Sequence, residues 1–408
     1  MKRILTAVVL TLFTASFSLA QYPGQPLYGP GGTKDYIHQA VDSAFYGSDI
    51  TNQFWLFEPA SPKPATAYVV TYWHGSYDGP ARQLGPALSS YVVEIVKKGY
   101  TVVVPLYQHG SYSPTADEKV SLFGSITKAA FLELDKPNHV KPIKDETNKV
   151  VYGTIGFSLG GMVFAGANNY KTAGIPAPIA IATFAPYGES KFVPYSNIPA
   201  TTKVAIQIGE GDGNTGDGSG DLQYQAKTMH WNALNHIPCE NKILLTVPNN
   251  RGLTADHLYH TMQAVNQLDF YASWKYSIGF MDCALKNKNC EYVLTNSDSI
   301  IDLGTFANKT PLKKITIVDG ACKATPITST LSQSQSEALS IRQVGHSRNI
   351  IIENSTNQLA QINIYDLTGR LLSSFGSAPG KQEIILDNVT SGFFLLNLNG
   401  HNKKIFIE

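Results

Sequence analysis

Val150-Val151-Tyr152-Gly153-Thr154-Ile155 runs without a break into Gly156-Phe157-Ser158-Leu159-Gly160-Gly161, and small residues follow as far as Ala167. The first six residues are mostly apolar and β-branched, so they read as a strand; Leu159 to Ala167 can be a helix. Between them stands the only Gly-x-Ser-x-Gly of the chain. A serine on so tight a strand-to-helix turn stands exposed, and the glycines around it let strained backbone and helix approach closely. The helix N-terminus then offers N–H groups and positive potential to a developing oxyanion.

Moving outward, short apolar runs alternate with helical spacing from about residue 50 to 285. Phe54 to Phe57, Tyr68 to Trp73, Thr101 to Pro105, Ile179 to Ala185, Lys203 to Gly209 and Ile243 to Val247 read as strands. They are continuous rather than alternating, as strands buried on both faces are. Leu88, Tyr91, Val92 and Ile95 recur at helical spacing, with Gly99 placed as a C-cap; Lys119 to Leu134 and Met262 to Leu285 also read as helices. Such alternation predicts an α/β fold: a doubly wound, mostly parallel sheet covered on both sides.

A serine needs a base, and the base an orienting acid, and in such a sheet both come from loops after later strands. Lys203 to Gly209 ends in Glu210-Gly211-Asp212, and a loop after Ile243 to Val247 ends in Asp256-His257. The assignment is therefore Ser158 as nucleophile, His257 as general base and acid, and Asp212 as orienting acid. Glu210, Asp217 and Asp221 compete for the acid role, and His260 for the base. Two backbone N–H groups are expected to hold the oxyanion, that of Leu159 and, after the strand ending Trp73-His74-Gly75-Ser76, that of Ser76. His74 is expected to support this loop rather than to titrate in catalysis. Only about 17 residues, Pro186 to Thr202, join two of the strands where such folds often carry a lid. Trp73, Tyr77, Phe157 and Tyr187 are expected to line an open, apolar cleft.

Together, the turn at Ser158, the His74-Gly75 loop, Gly209 to Asp212 and His257 resemble the α/β-hydrolase family over roughly residues 45 to 290. The resemblance implies hydrolysis of an acyl bond, most often a carboxylic ester, through an acyl-serine, with no cofactor. The substrate would be a small-molecule or polymeric ester. A peptidase or acyltransferase on the same three residues, or a binding protein that retains the fold without the activity, are the alternatives.

The ends of the chain read differently. Lys2 and Arg3, the apolar run Ile4 to Phe17 and the small residues Ser18 and Ala20 form a signal-peptide pattern over residues 1–20. It predicts export, and the catalytic domain then spans 21–322. The four cysteines suit an oxidising space. Cys283 with Cys290 is the favoured pair, leaving Cys239 with Cys322. Residues 323–340, rich in Ser, Thr and Gln, read as a linker, and the short strands of 341–408 as a β-sandwich. Ile362-Asn363-Ile364-Tyr365-Asp366-Leu367-Thr368-Gly369-Arg370, Gly392 to Leu395 and the closing Lys403-Lys404 strand resemble the type A sorting domain of the type IX secretion system. That resemblance implies a secretion machinery as partner and a secreted or surface-attached product. The Asp-, Asn- and Gly-rich stretch 211–221 lacks the regular spacing of a calcium loop and reads as a polar loop; no metal site is expected.

Composition narrows the classes further. Of 408 residues only 15% are charged, and the net charge is +1, without the basic excess a nucleic-acid binder needs. With 21 Tyr and 18 Phe the chain collapses rather than staying disordered. Beyond the first residues no stretch is long and apolar enough to span a bilayer.

Overall fold

The computed structural model describes residues 22–110, 112–187, 195–213, 225–259, 265–294 and 297–320, and the strands between 339 and 407. The chain divides into two compact units, one ending at Lys323 and one beginning at Ala324.

The first unit is built on a ten-stranded mixed sheet. Its strands are β1 (Ala40–Tyr46), β2 (Phe54–Ser61), β3 (Thr66–Trp73), β4 (Tyr100–Pro105), β5 (Lys141–Pro142), β6 (Tyr152–Phe157), β7 (Ala180–Phe184), β8 (Lys203–Gly209), β9 (Lys242–Val247) and β10 (Thr316–Gly320). The order is β1-β2-β4-β3-β6-β7-β8-β9-β10, with β5 beside β3. From β4 through β9 neighbours are parallel. β1, β2 and β10 run antiparallel to the strands beside them. Both outer strands carry a register shift, at Ala40/Val41 in β1 and at Ile317/Asp319 in β10. The architecture is thus mixed α/β with a mostly parallel centre, consistent with an α/β-hydrolase fold.

The period of two along each strand sorts side chains between two cores. Val70, Tyr72, Val102, Val104, Ile155, Ala182 and Leu245 face one side, where α1 (Ser89–Lys97) and α4 (Trp274–Lys286) lie. Val69, Trp73, Val103, Ile181, Ile206 and Leu244 face the other, under α2 (Ala116–Leu134) and α3 (Val163–Asn168). Burial on both faces is why these strands are apolar at every position. Gly99 follows α1 with φ +93°, a conformation that a side chain would strain. Among the described residues no helix is long and apolar enough to cross a membrane.

Several elements differ from expectation. β1 and β10 were not expected: β1 is largely exposed and so lacks an apolar signature. The segment after Ser158 opens as a 3-10 turn, Ser158–Met162, before α3 begins. The closing helix is interrupted by a π turn, Asp269–Ser273, ahead of α4; the start expected at Met262 lies outside the described residues. Cys283 and Cys290 are bonded. Cys239 is also in a disulfide, while its expected partner Cys322 lies outside the described residues.

The second unit holds two antiparallel sheets. One is ordered β11-β12-β15 (Leu339–Gln343, Asn349–Asn354, Gly380–Ile385). The other is ordered β14-β13-β16-β17 (Leu371–Ser377, Ala360–Tyr365, Gly392–Leu398, His401–Ile407). The first of these strands begins at Leu339, inside the stretch expected to be linker.

Candidate active site

The chain passes from β3 to β4 on one side of the sheet, then returns to place β6 on the other side of β3. Connections leaving β3 and β6 therefore diverge, and a crevice opens beyond their carboxyl ends. His74-Gly75-Ser76 leaves β3 there, and Ser158 leaves β6.

Ser158 holds φ +51°, a left-handed conformation that is costly for a residue with a side chain. Its surroundings enforce it. The Tyr187 N–H donates to the Ser158 carbonyl at 2.8 Å. The glycines around it have no room for a side chain. A Cβ on Gly156 would lie 2.3 Å from the Gly160 carbonyl oxygen, and one on Gly160 only 2.0 Å from that of Trp73. Gly75 is equally confined: a Cβ there would stand 2.9 Å from the Phe157 ring and 3.2 Å from Ser158 Cβ. The β3 loop that continues into Ser76 therefore runs directly against the serine.

Three side chains meet across this crevice. His257 Nε2 is 2.8 Å from Ser158 Oγ, and His257 Nδ1 is 2.9 Å from Asp212 Oδ1. A carboxylate accepts, so Nδ1 carries the proton and Nε2 is left to accept from the serine hydroxyl. Asp212 is buried and His257 partly open to solvent. The Phe157 ring lies 5.0 Å from the imidazole, centre to centre. Asp212 is fixed by a turn off β8, its N–H donating to the Gly209 carbonyl at 3.1 Å.

The rival acid Glu210 points elsewhere, accepting the Asn249 N–H at 2.6 Å. Asp217, Asp221 and His260 lie outside the described residues, as does most of the polar stretch 211–221. Among the described residues no cluster of metal-binding side chains occurs.

His74 supports its loop. Its Nδ1–H donates to the Gly75 carbonyl at 2.6 Å, and its ring stacks on Tyr107 at 4.5 Å. The Tyr107 hydroxyl donates to the His74 carbonyl. Burial pushes this imidazole down to about 4, so it stays neutral. Gln108 reaches Ser76 Oγ from the β4 loop at 3.3 Å. A second buried histidine, His230, donates through Nε2 to the Tyr187 carbonyl at 3.2 Å and accepts from the Tyr195 hydroxyl at 3.1 Å. Burial lowers it likewise to about 4. It steadies the residue that holds the Ser158 backbone.

The expected lining is corrected at two positions. Trp73 is fully buried, stacked on Phe123 at 4.8 Å and bonded through Nε1 to Thr71 Oγ1. Strand alternation turns it into the core under α2, away from the crevice. Phe157 is also buried, so it forms a floor beneath His257 rather than an open wall. Tyr77 and Tyr187 remain partly exposed. Leu258, 43% exposed beside His257, was not anticipated, since a lone apolar loop residue gives no periodic signal.

No family model matches the sequence, and no curated protein matches it. Among solved structures, the dienelactone hydrolase from Anabaena variabilis ATCC 29413 is similar over 60% of this chain and 99% of its own, at 14% identity and a TM-score of 0.37. A likeness that distant says nothing of substrate or mechanism, which rest on the side chains themselves.

Proposed function

We propose that the chain is a serine hydrolase that cleaves carboxylic esters through an acyl-serine intermediate. The observation that carries this reading is the continuous relay Asp212–His257–Ser158, at 2.9 Å and 2.8 Å, beside a strained turn. Ser158 Oγ attacks the ester carbonyl as His257 Nε2 takes its proton. Asp212, buried and bonded to Nδ1, keeps the imidazole in the right tautomer and stabilises the imidazolium that forms. The Leu159 and Ser76 N–H groups take the developing oxyanion, each such donor contributing about 10²–10³-fold in similar sites. His257 then protonates the leaving alkoxide. A water activated by the same base releases the acid and restores the serine. Tyr77, next to Ser76 in the chain, and Tyr187, whose N–H holds the Ser158 carbonyl, are partly exposed and suit short or medium acyl groups or an extended polymer chain.

The test is hydrolysis of p-nitrophenyl acetate and butyrate by wild type and Ser158→Ala. Loss of about 10⁴-fold or more in kcat is expected for the variant. Equal rates would sink the assignment.

The residue 1–20 pattern and the C-terminal strands support a further part of this reading. The enzyme is exported and then sorted by its second unit, so that it acts outside the cell, free or at the surface.

A further inference from the structure

We propose that Asn249 and Glu210 are positioning residues that set the separation of Asp212 and His257; the inference rests on the hydrolytic reading above. The two functional side chains sit on different loops, one after β8 and one after β9.

Among the described residues, hydrogen bonds run from the β8 loop to the end of β9 and to the loop after it. The Glu210 N–H donates to the Val247 carbonyl at 2.7 Å, and the Gly211 N–H to the Ala255 carbonyl at 2.9 Å. The Asn249 N–H donates to Glu210 Oε2 at 2.6 Å. A fourth bond closes the β9 loop on itself, the Ala255 N–H donating to Asn249 Oδ1 at 2.7 Å. Asn249 thus joins both systems, its main chain held by Glu210 and its side chain holding Ala255. The two residues so gripped stand in equivalent places: Glu210 is two before Asp212, and Ala255 is two before His257.

The contact is close. A Cβ on Gly209 would fall 2.0 Å from the Ala255 carbonyl oxygen, so the loops touch main chain to main chain. The β9 loop is itself stiffened by Asn250 and Leu253, which exchange both main-chain bonds at 2.9 Å, and by Lys313, whose N–H donates to Asn250 Oδ1 at 2.7 Å. A bond from N–H to an ionised carboxylate is among the stronger kinds. With Asn249 truncated, the Ala255 amide loses its partner, the Gly211 bond alone is left to tie Ala255 to the β8 loop, and the stretch carrying His257 is loosened relative to Asp212 and Ser158. A misplacement of about 1 Å in such a relay can cost about 100-fold in rate.

The experiment compares full-length wild type, Asn249→Ala, Glu210→Ala, Glu210→Gln and Ser158→Ala on p-nitrophenyl butyrate, with fluorophosphonate labelling rates and thermal melts. Asn249→Ala and Glu210→Ala are expected to lose about 10- to 100-fold in kcat and in labelling rate, with KM within about twofold and cooperative melting retained. Glu210→Gln keeps an oxygen that accepts the Asn249 N–H and is expected to stay within about threefold of wild type. Alanine variants within about twofold of wild-type kcat would overturn the proposal. So would equal loss in Glu210→Gln and Glu210→Ala, or a loss that merely tracks the unfolded fraction. A dead Ser158→Ala beside a fully active Asn249→Ala removes the bracket alone, whereas an active Ser158→Ala removes the hydrolytic reading and the bracket together.

Discussion

At the scale of single residues, the site depends as much on absent side chains as on present ones. Gly160 faces two carbonyl oxygens, with the Trp73 oxygen 2.0 Å from where its Cβ would be and the His74 oxygen at 2.9 Å. Neither carbonyl is free to retreat: Trp73 is paired with Gly156 on β6, and the His74 carbonyl accepts from the Tyr107 hydroxyl. Gly160→Ala should therefore push the first turn after Ser158 off β3. We expect kcat to fall by about 100-fold or more and the protein to lose several degrees of melting temperature. Unchanged kinetics with an unchanged melt would show that the turn absorbs the methyl group. The three side chains that meet, Ser158, His257 and Asp212, were legible in the sequence, because Gly-x-Ser-x-Gly is local and the other two follow strands in order. Asn249 was not, since its work is done through main-chain N–H groups that no motif records. Trp73 adjoins His74 in sequence, but the pleat turns its side chain away from the crevice.

At the scale of elements, the segment before β1 is fastened to α1. The Tyr36 hydroxyl donates to Glu94 Oε2 at 2.7 Å, Gln25 Nε2 donates to the Tyr36 oxygen at 2.9 Å, and Lys98 Nζ bonds to the Gly32 carbonyl. Burial raises the Glu94 carboxyl from 4.5 to about 7, against the opposing pull of the Tyr36 bond and of Lys98 and Lys97. The folded state thus holds this proton more tightly than the unfolded chain. Its contribution to stability is complete below about 4.5 and is lost as pH rises through about 7. Glu94→Gln carries no such penalty, so its melting temperature should gain on wild type between pH 5 and pH 8. A constant difference across that range would refute the linkage. Asp269, raised by burial to about 7, acts in the same sense. The buried histidines His74 and His230 act in the opposite one, with stability present above 6.5 and lost as pH falls toward about 4. The central strands of the sheet were readable because burial on both faces leaves no polar position. β1 and β10 were not legible, because an edge strand that is largely or partly exposed carries no such signature. The π turn before α4 was invisible for another reason: Asp269 to Ser273 carry no sequence mark that separates a π turn from an α turn.

At the scale of the whole molecule, the chain divides into two compact units, and the export proposed above predicts processing at both ends. Protein recovered from the growth medium should begin near Gln21 and lack the strands beyond residue 340, as intact mass would show. Full-length protein retained inside the cell would contradict the export reading. The ten-stranded sheet has a further consequence. Its interior is apolar on both sides, the composition most prone to recruit additional strands from neighbouring molecules. Yet both of its borders are blunted: β1 and β10 each carry an irregularity in register and an aspartate, Asp42 and Asp319. Bends and charge at a border discourage a second copy from docking its own border there. The margins of this sheet are therefore poor templates for pairing with the margin of another molecule.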